Sequence, residues 1–101
     1  MKIRFKATGL IMLDGIQTYV QQKMDMLEKY LGDIQVLNCD VELAVETHHR
    51  KGKIYRAEVN LELPGKLLRV EKNEKNLNKA IDKVKDHLVV MIKKYKETKK
   101  N

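Results

Sequence analysis

The sequence predicts an α+β fold: a two-layer sandwich of order β-α-β-β-β-α, with a four-stranded mixed sheet and two helices on one face. Three observations carry this expectation. Two long central stretches alternate apolar and polar residues, the mark of strands with one buried face. Two other stretches repeat apolar residues at helical spacing. The only proline is Pro64 and glycine is sparse, so no flexible linker divides the 101 residues and one domain is expected over 1–101.

Residues 2–8 form the first expected strand, with Ile3, Phe5 and Ala7 facing one way and Lys2, Arg4 and Lys6 the other. Asp14 followed by Gln17 resembles a capping box, and Ile16, Val20, Leu27 and Leu31 repeat behind it, with Tyr19, Met24 and Tyr30 alongside. This predicts one helix over 15–31, closed by Gly32-Asp33. In the strand expected over 36–47, Leu37, Cys39, Val41, Leu43 and Val45 alternate with polar residues. His48 to Lys53 is a polar, basic loop. A second long strand, 54–63, places Tyr55, Ala57, Val59, Leu61 and Leu63 inward. Pro64-Gly65 then suits a tight turn, and a shorter strand over 66–71 carries Leu68 and Val70. The rest predicts a helix over 74–98, with Asn73 as N-cap and a stripe from Leu77 through Ala80, Ile81, Val84, Leu88, Met91 and Ile92 to Tyr95. A strand–helix–strand start implies parallel first and second strands, and the later strands an antiparallel meander.

The chain carries a net charge of +7, which favours a polyanionic partner. No apolar run approaches the roughly 20 residues needed to span a bilayer, so a membrane partner is not expected. The alternating N-terminus has no apolar signal-peptide core. Cys39 is the single cysteine, which excludes an intrachain disulfide and suits a reducing cytoplasm. Adjacent His48 and His49 lack the further ligands a metal site needs, and His87 lies off the apolar stripe. With no phosphate-binding glycine loop, no nucleophile motif and no acid–base pair, the sequence predicts no enzyme, cofactor, metal or small-molecule substrate.

The charge is unevenly placed. From Lys72 to Asn101 there are ten lysines against four acids, a net of +6. The two central strands carry Asp40, Glu42, Glu46, Glu58 and Glu62 against Arg56 alone, a net of −4. The expectation is a basic helical layer and an acidic open sheet face that repels phosphate and other copies of itself. Because Phe5 and Tyr55 fall in the core phase, base stacking on the sheet is not expected. Phosphate contact from helical lysines is, a mode suited to folded RNA. On a helical wheel Lys72, Lys79, Lys83 and Lys94 share one flank of the last helix, while Lys75 and Lys93 sit opposite its core stripe. Lys23 falls within the apolar stripe of the first helix, where it either reaches out to solvent or lines a groove between the helices.

Over nearly its whole length the chain resembles the ribosome hibernation-promoting factors, also called ribosome-associated inhibitors and, in older usage, sigma-54 modulation proteins. The resemblance runs from Tyr19-Val20 through Lys23 to Leu27-Glu28-Lys29-Tyr30, and from Leu77 to Lys96 around Ala80-Ile81-Asp82, with Asp86, Leu88 and Lys94. It implies a fold related to the double-stranded-RNA-binding domain, and binding to small-subunit ribosomal RNA where mRNA and tRNA lie, so that translation is blocked. It makes Lys23, Lys79, Lys83 and Lys94 the leading RNA-contact candidates, with Lys75 and Lys93 beside them. It also leaves room for a second hibernation factor as a further partner.

Four positions depart from the family pattern. Met26 and Val90 stand where a basic residue is frequent, Asn78 where a tyrosine is common and His87 where a lysine is common. Long family members add a dimerisation domain, so the chain is expected to be a short member or the N-terminal part of a long one, and not to pair ribosomes alone. Two other readings stay open: a protein-binding modulator of transcription, for which Leu67, Val89 and Val90 are the apolar candidates, and a generic binder of structured RNA.

Overall fold

The computed structural model describes residues 1–99. Its elements run β1 (Arg4–Thr8), α1 (Asp14–Asp25), α2 (Glu28–Leu31), β2 (Asn38–His48), β3 (Gly52–Leu63), β4 (Lys66–Glu74) and α3 (Leu77–Lys99). The sheet order is β1-β2-β3-β4. β1 pairs parallel to β2, and β2–β3 and β3–β4 are antiparallel. This is the expected α+β sandwich.

Alternation selects the inner face. Cys39, Val41 and Leu43 of β2, Ala57, Val59, Leu61 and Leu63 of β3, and Leu68 and Val70 of β4 are all buried. They meet Val20, Met24, Leu27 and Leu31 from the first helical segments. Ala80, Ile81, Val84, Leu88, Ile92 and Tyr95 of α3 complete the core, with α3 lying over β3 and β4. The Tyr95 hydroxyl donates a 2.6 Å bond to the Pro64 carbonyl and ties α3 to the β3–β4 turn, where Gly65 adopts the expected positive φ of 75°.

The structure corrects several sequence expectations. The helix expected over 15–31 is two helices. The Leu27 amide bonds the Met24 carbonyl at 2.9 Å, three residues back instead of four. The tighter turn rotates Leu27 and Leu31 into the core together. Asp14 is the first helical residue, Leu13 occupies the N-cap position, and no side chain caps it, so the capping box does not form.

β4 runs three residues beyond the expected end, because Lys72, Asn73 and Glu74 still pair with Ala57, Arg56 and Tyr55. The cap of α3 is therefore Asn76, not Asn73: its Oδ1 accepts the Lys79 amide at 3.0 Å. Lys72 lies on β4 and not on the expected flank of α3, and Lys75 lies in the β4–α3 junction and not opposite the core stripe of that helix. The first strand begins at Arg4 rather than residue 2. Leu37, expected inside, precedes β2 and is exposed.

β2 and β3 outrun their neighbours. β1 reaches only Ala44 of β2, and β4 only Tyr55 of β3. Glu46–Ile54 is thus a two-stranded ribbon that projects from one end of the sheet and turns at His49-Arg50-Lys51, with Gly52 at φ +72°.

Candidate nucleic-acid interface

Lys23 lies in the groove between α1 and α3, which decides between its two sequence readings. Its ammonium is 3.2 Å from Asp82 Oδ1 and 5.3 Å from the centre of the Tyr19 ring. The Tyr19 hydroxyl donates to the same Asp82 oxygen at 2.6 Å. This bond, with burial and the Asp82 charge behind it, raises the Tyr19 pKa above its usual value. Lys23 is thereby held at the groove mouth.

Lys83 is also engaged. Its ammonium bonds Glu74 Oε2 at 2.7 Å. That bond outweighs the opposing effect of burial and, with the Lys83 and Lys79 charges, holds the Glu74 carboxyl below the usual carboxylate range. Lys79, Lys75 and Lys94 are exposed and have no ion-pair partner among the described residues. Lys93 lies 5.4 Å from the Tyr30 ring centre, and Lys29 lies 5.1 Å from it. The α3 lysines do not form one cluster. Lys79 and Lys83 stand near its start, and Lys93 and Lys94 roughly 20 Å further along the axis at 1.5 Å per residue.

A second group of cations joins the first end. Arg50, Lys51 and Lys53 occupy the tip of the projecting ribbon, all exposed. Lys51 lines a cleft of ≈ 550 Å³ together with Lys75 and Lys79. The run His48-His49-Arg50-Lys51-Gly52-Lys53 is visible in the sequence, but as a loop. Its position beside α3 depends on how far β2 and β3 extend. His48 Nε2 lies 3.6 Å from Glu46 Oε2. Among the described residues no three His, Cys, Asp or Glu side chains gather as metal ligands, and no helix is long and apolar enough to cross a membrane.

Most acids of the outer sheet face are held in ion pairs, by Arg4, Lys6 and Arg69 of the edge strands and by Arg56 of β3, so the face is less acidic than the sequence suggested. Arg4 holds Asp40 through two bonds of 2.6 and 2.9 Å. Arg69 binds Glu58 at 2.6 Å. Arg56 reaches Glu42, Glu58 and Glu71 at 3.4, 3.2 and 3.7 Å. Desolvation opposes ionisation of Glu42, but the Thr8 hydroxyl, Arg56 and Lys6 outweigh it and lower its pKa. Glu62, which accepts only from Asn38 Nδ2 at 2.6 Å, has no ion pair among the described residues, so the face keeps a slight acidic excess. The contrast between the layers is one of free charge: the sheet face is mostly paired internally, while the helical layer and ribbon carry cations without acidic partners.

This arrangement has counterparts among known proteins. A family profile described as "Sigma 54 modulation protein / S30EA ribosomal protein" matches residues 3–100. A "Ribosome hibernation promotion factor" of Lactococcus lactis subsp. cremoris is 32% identical over 98 residues, covering 95% of this chain and 50% of the relative. A protein of the same name from a Picosynechococcus species is 28% identical over 97 residues, covering 96% of this chain and 50% of its own. The chain spans about half the length of the curated relatives it matches. The solved N-terminal domain of Protein Y from Thermus thermophilus superposes with a TM-score of 0.79 at 31% identity, covering 94% of this chain and 99% of that one. A "ribosomal subunit interface protein" from Coxiella burnetii superposes with a TM-score of 0.75 at 16% identity, covering 92% and 97%, and supports the fold alone.

Proposed function

Because the chain belongs to the sigma 54 modulation protein / S30EA ribosomal protein family, we propose that residues 1–101 form a ribosome-binding domain that inhibits translation in the cytoplasm. It docks on small-subunit ribosomal RNA in the channel used by mRNA and tRNA, through its basic helical layer, and it is not an enzyme. The observation that carries this reading is the segregation of free charge. Lys75, Lys79 and Lys94 lack acidic partners among the described residues, whereas the outer sheet face is cross-linked by its own ion pairs. Lys23, Lys83 and Lys93 lie on the same helical layer and reach phosphate by exchanging or sharing their present contacts. The relatives named for ribosome hibernation support the target, and a second hibernation factor remains a candidate partner.

The three apolar candidates of the transcription reading lie apart. Leu67 is exposed on the outer sheet face and Val90 on α3, in the opposite layer, while Val89 packs against the core. The three do not form one patch.

The test is sedimentation with ribosomes and separated subunits in a salt series, beside a translation assay. Binding to the small subunit is expected, weakening by roughly 0.9 log units per log unit of salt for each duplex phosphate neutralised. Salt-insensitive binding, or equal binding to both subunits, refutes the reading.

A further inference from the structure

One end of the molecule carries two adjoining concavities of opposite chemistry. The first, of ≈ 390 Å³, is lined by Leu10, Ile11, Ile16, Tyr55 and Leu77, with Lys75, Asn76 and Asn78 at its polar side. The second is the cleft of Lys51, Lys75 and Lys79, whose wall also holds Glu74, the carboxylate engaged by Lys83 at 2.7 Å. Lys75 and Asn76 line both, so the two share a wall. Both are shallow and open to solvent, suited to a flat group lying against the surface rather than to an enclosed ligand.

Two features mark this end as unfinished. Ile11 is 78% exposed and Leu13 60%, the two most exposed large apolar residues of the described chain, on the loop between β1 and α1. Folding alone gives no reason to hold Ile11 there, at the lip of an apolar hollow. The neighbouring ribbon also extends cations beyond any third strand, although an unsupported two-stranded ribbon is only marginally stable. The one carboxylate of the cleft, Glu74, is engaged by Lys83, so three lysines share it with a fourth cation, and a purely apolar partner would leave that excess positive charge unused. A fully paired duplex would offer phosphates to the cleft but nothing to the hollow.

We propose that this end binds one unpaired nucleotide of an RNA. The base enters the apolar hollow against Tyr55 and Ile11, and its flanking phosphates lie on Lys51, Lys75 and Lys79. Asn78, at the hollow's rim, is placed to hydrogen-bond the base edge. Unpaired bases are the part of folded RNA whose faces and edges are open to a protein. A shallow apolar and aromatic wall accepts any of them, because every base has a flat π-face. This inference rests on the RNA-binding reading above and deepens it: the helical lysines read the backbone, and the hollow detects a base that has left its stack.

The experiment compares two RNA hairpins of the same stem, one blunt and one with a two-nucleotide 3′ overhang. 2-Aminopurine is placed in the overhang, and binding is measured by anisotropy and by base fluorescence. The overhang is expected to tighten binding roughly fivefold or more, the low end of what one stacked base contributes, with a change in 2-aminopurine emission. Ile11→Ser, which removes the apolar contact without adding charge, abolishes that preference and leaves blunt-stem affinity within twofold, since so exposed a residue supports little of the fold. Lys75→Glu weakens both. Equal affinity of the wild type for the two RNAs, with salt-dependent binding intact, overturns the nucleotide site and leaves the RNA-binding reading standing. Failure to bind either RNA or small subunits overturns both. Retention of the preference in Ile11→Ser overturns the assignment of the hollow.

Discussion

Glu42 and Glu58 stand directly opposite each other in the β2–β3 ladder, two carboxylates on one face at a register position where like charges repel. Arg56 lies between them and reaches both, and it touches Glu71 as well. The pair is tolerated because a guanidinium offers several donors in one plane.

Arg56→Glu is therefore expected to destabilise the fold. The substitution removes the shared cation and adds a fourth carboxylate to the group. A loss of about 1–3 kcal/mol is expected, read as a melting temperature lower by several degrees or more. Lys6→Gln, on the same face but far more exposed, is expected to change the melting temperature little. Equal melting of the Arg56 variant and wild type would disprove the bridging role.

The double substitution Lys79→Glu with Lys83→Glu is expected to weaken ribosome binding at least tenfold. It should also lower the salt slope by roughly two, one unit for each phosphate left without its lysine. Circular dichroism should show a folded domain, since both side chains are largely exposed. Lys6→Gln serves as the control that leaves binding unchanged. If Lys6→Gln proved as damaging as the helix pair, the interface would lie on the sheet.

The Tyr19 hydroxyl should titrate late. Its folded pKa is raised above 10.0, first by the bond to Asp82. The stability from this contact is thus fully present below about pH 10, the unfolded value, and is lost as pH rises through the folded pKa. In Asp82→Asn the phenol absorbance step assigned to Tyr19 should move back toward pH 10. An unmoved step would mean that Asp82 does not hold the hydroxyl. The same variant frees the Lys23 ammonium and is expected to tighten RNA binding at low salt.

Cys39 is expected to resist alkylation. Burial, with the Asp40 charge as a second cause, pushes its thiol up to about 12, so almost no thiolate exists at pH 8. Labelling should be slow in the native protein and rapid in denaturant, monitored by mass spectrometry. Fast native labelling would contradict the packing of β2.

Much of this structure is legible in the sequence because alternation and helical spacing are local signals. Val41 and Leu43, or Ala80 and Val84, declare their faces without reference to any other element. The break at Met26-Leu27 is not legible, because Leu27 and Leu31 fit a continuous helix equally well. Only packing against the sheet selects the tighter turn. The end of β4 is hidden for a related reason: Asn73 and Asn76 are equally good caps, and pairing with Tyr55 and Arg56 chooses the second. For the interface, the excess of lysine is readable, but its partners are not. That Lys83 spends its charge on Glu74, and that Arg56 serves three carboxylates, depends on register across strands. The ribbon tip reads as a basic loop, and its approach to Lys75 and Lys79 needs the third dimension.

The parallel pairing of β1 has a consequence for how the chain is made. Every other strand finds its partner across a short turn, but Arg4 meets Asp40 36 residues later. β1 leaves the ribosome before β2 and has nothing to pair with until β2 follows, so its Phe5 must travel uncovered. β2, β3, β4 and α3 close through nearby neighbours and can assemble by local steps, whereas β1 must close the longest loop in the sheet. It is the strand expected to dock last during synthesis and, by the same topology, to exchange its amide hydrogens first.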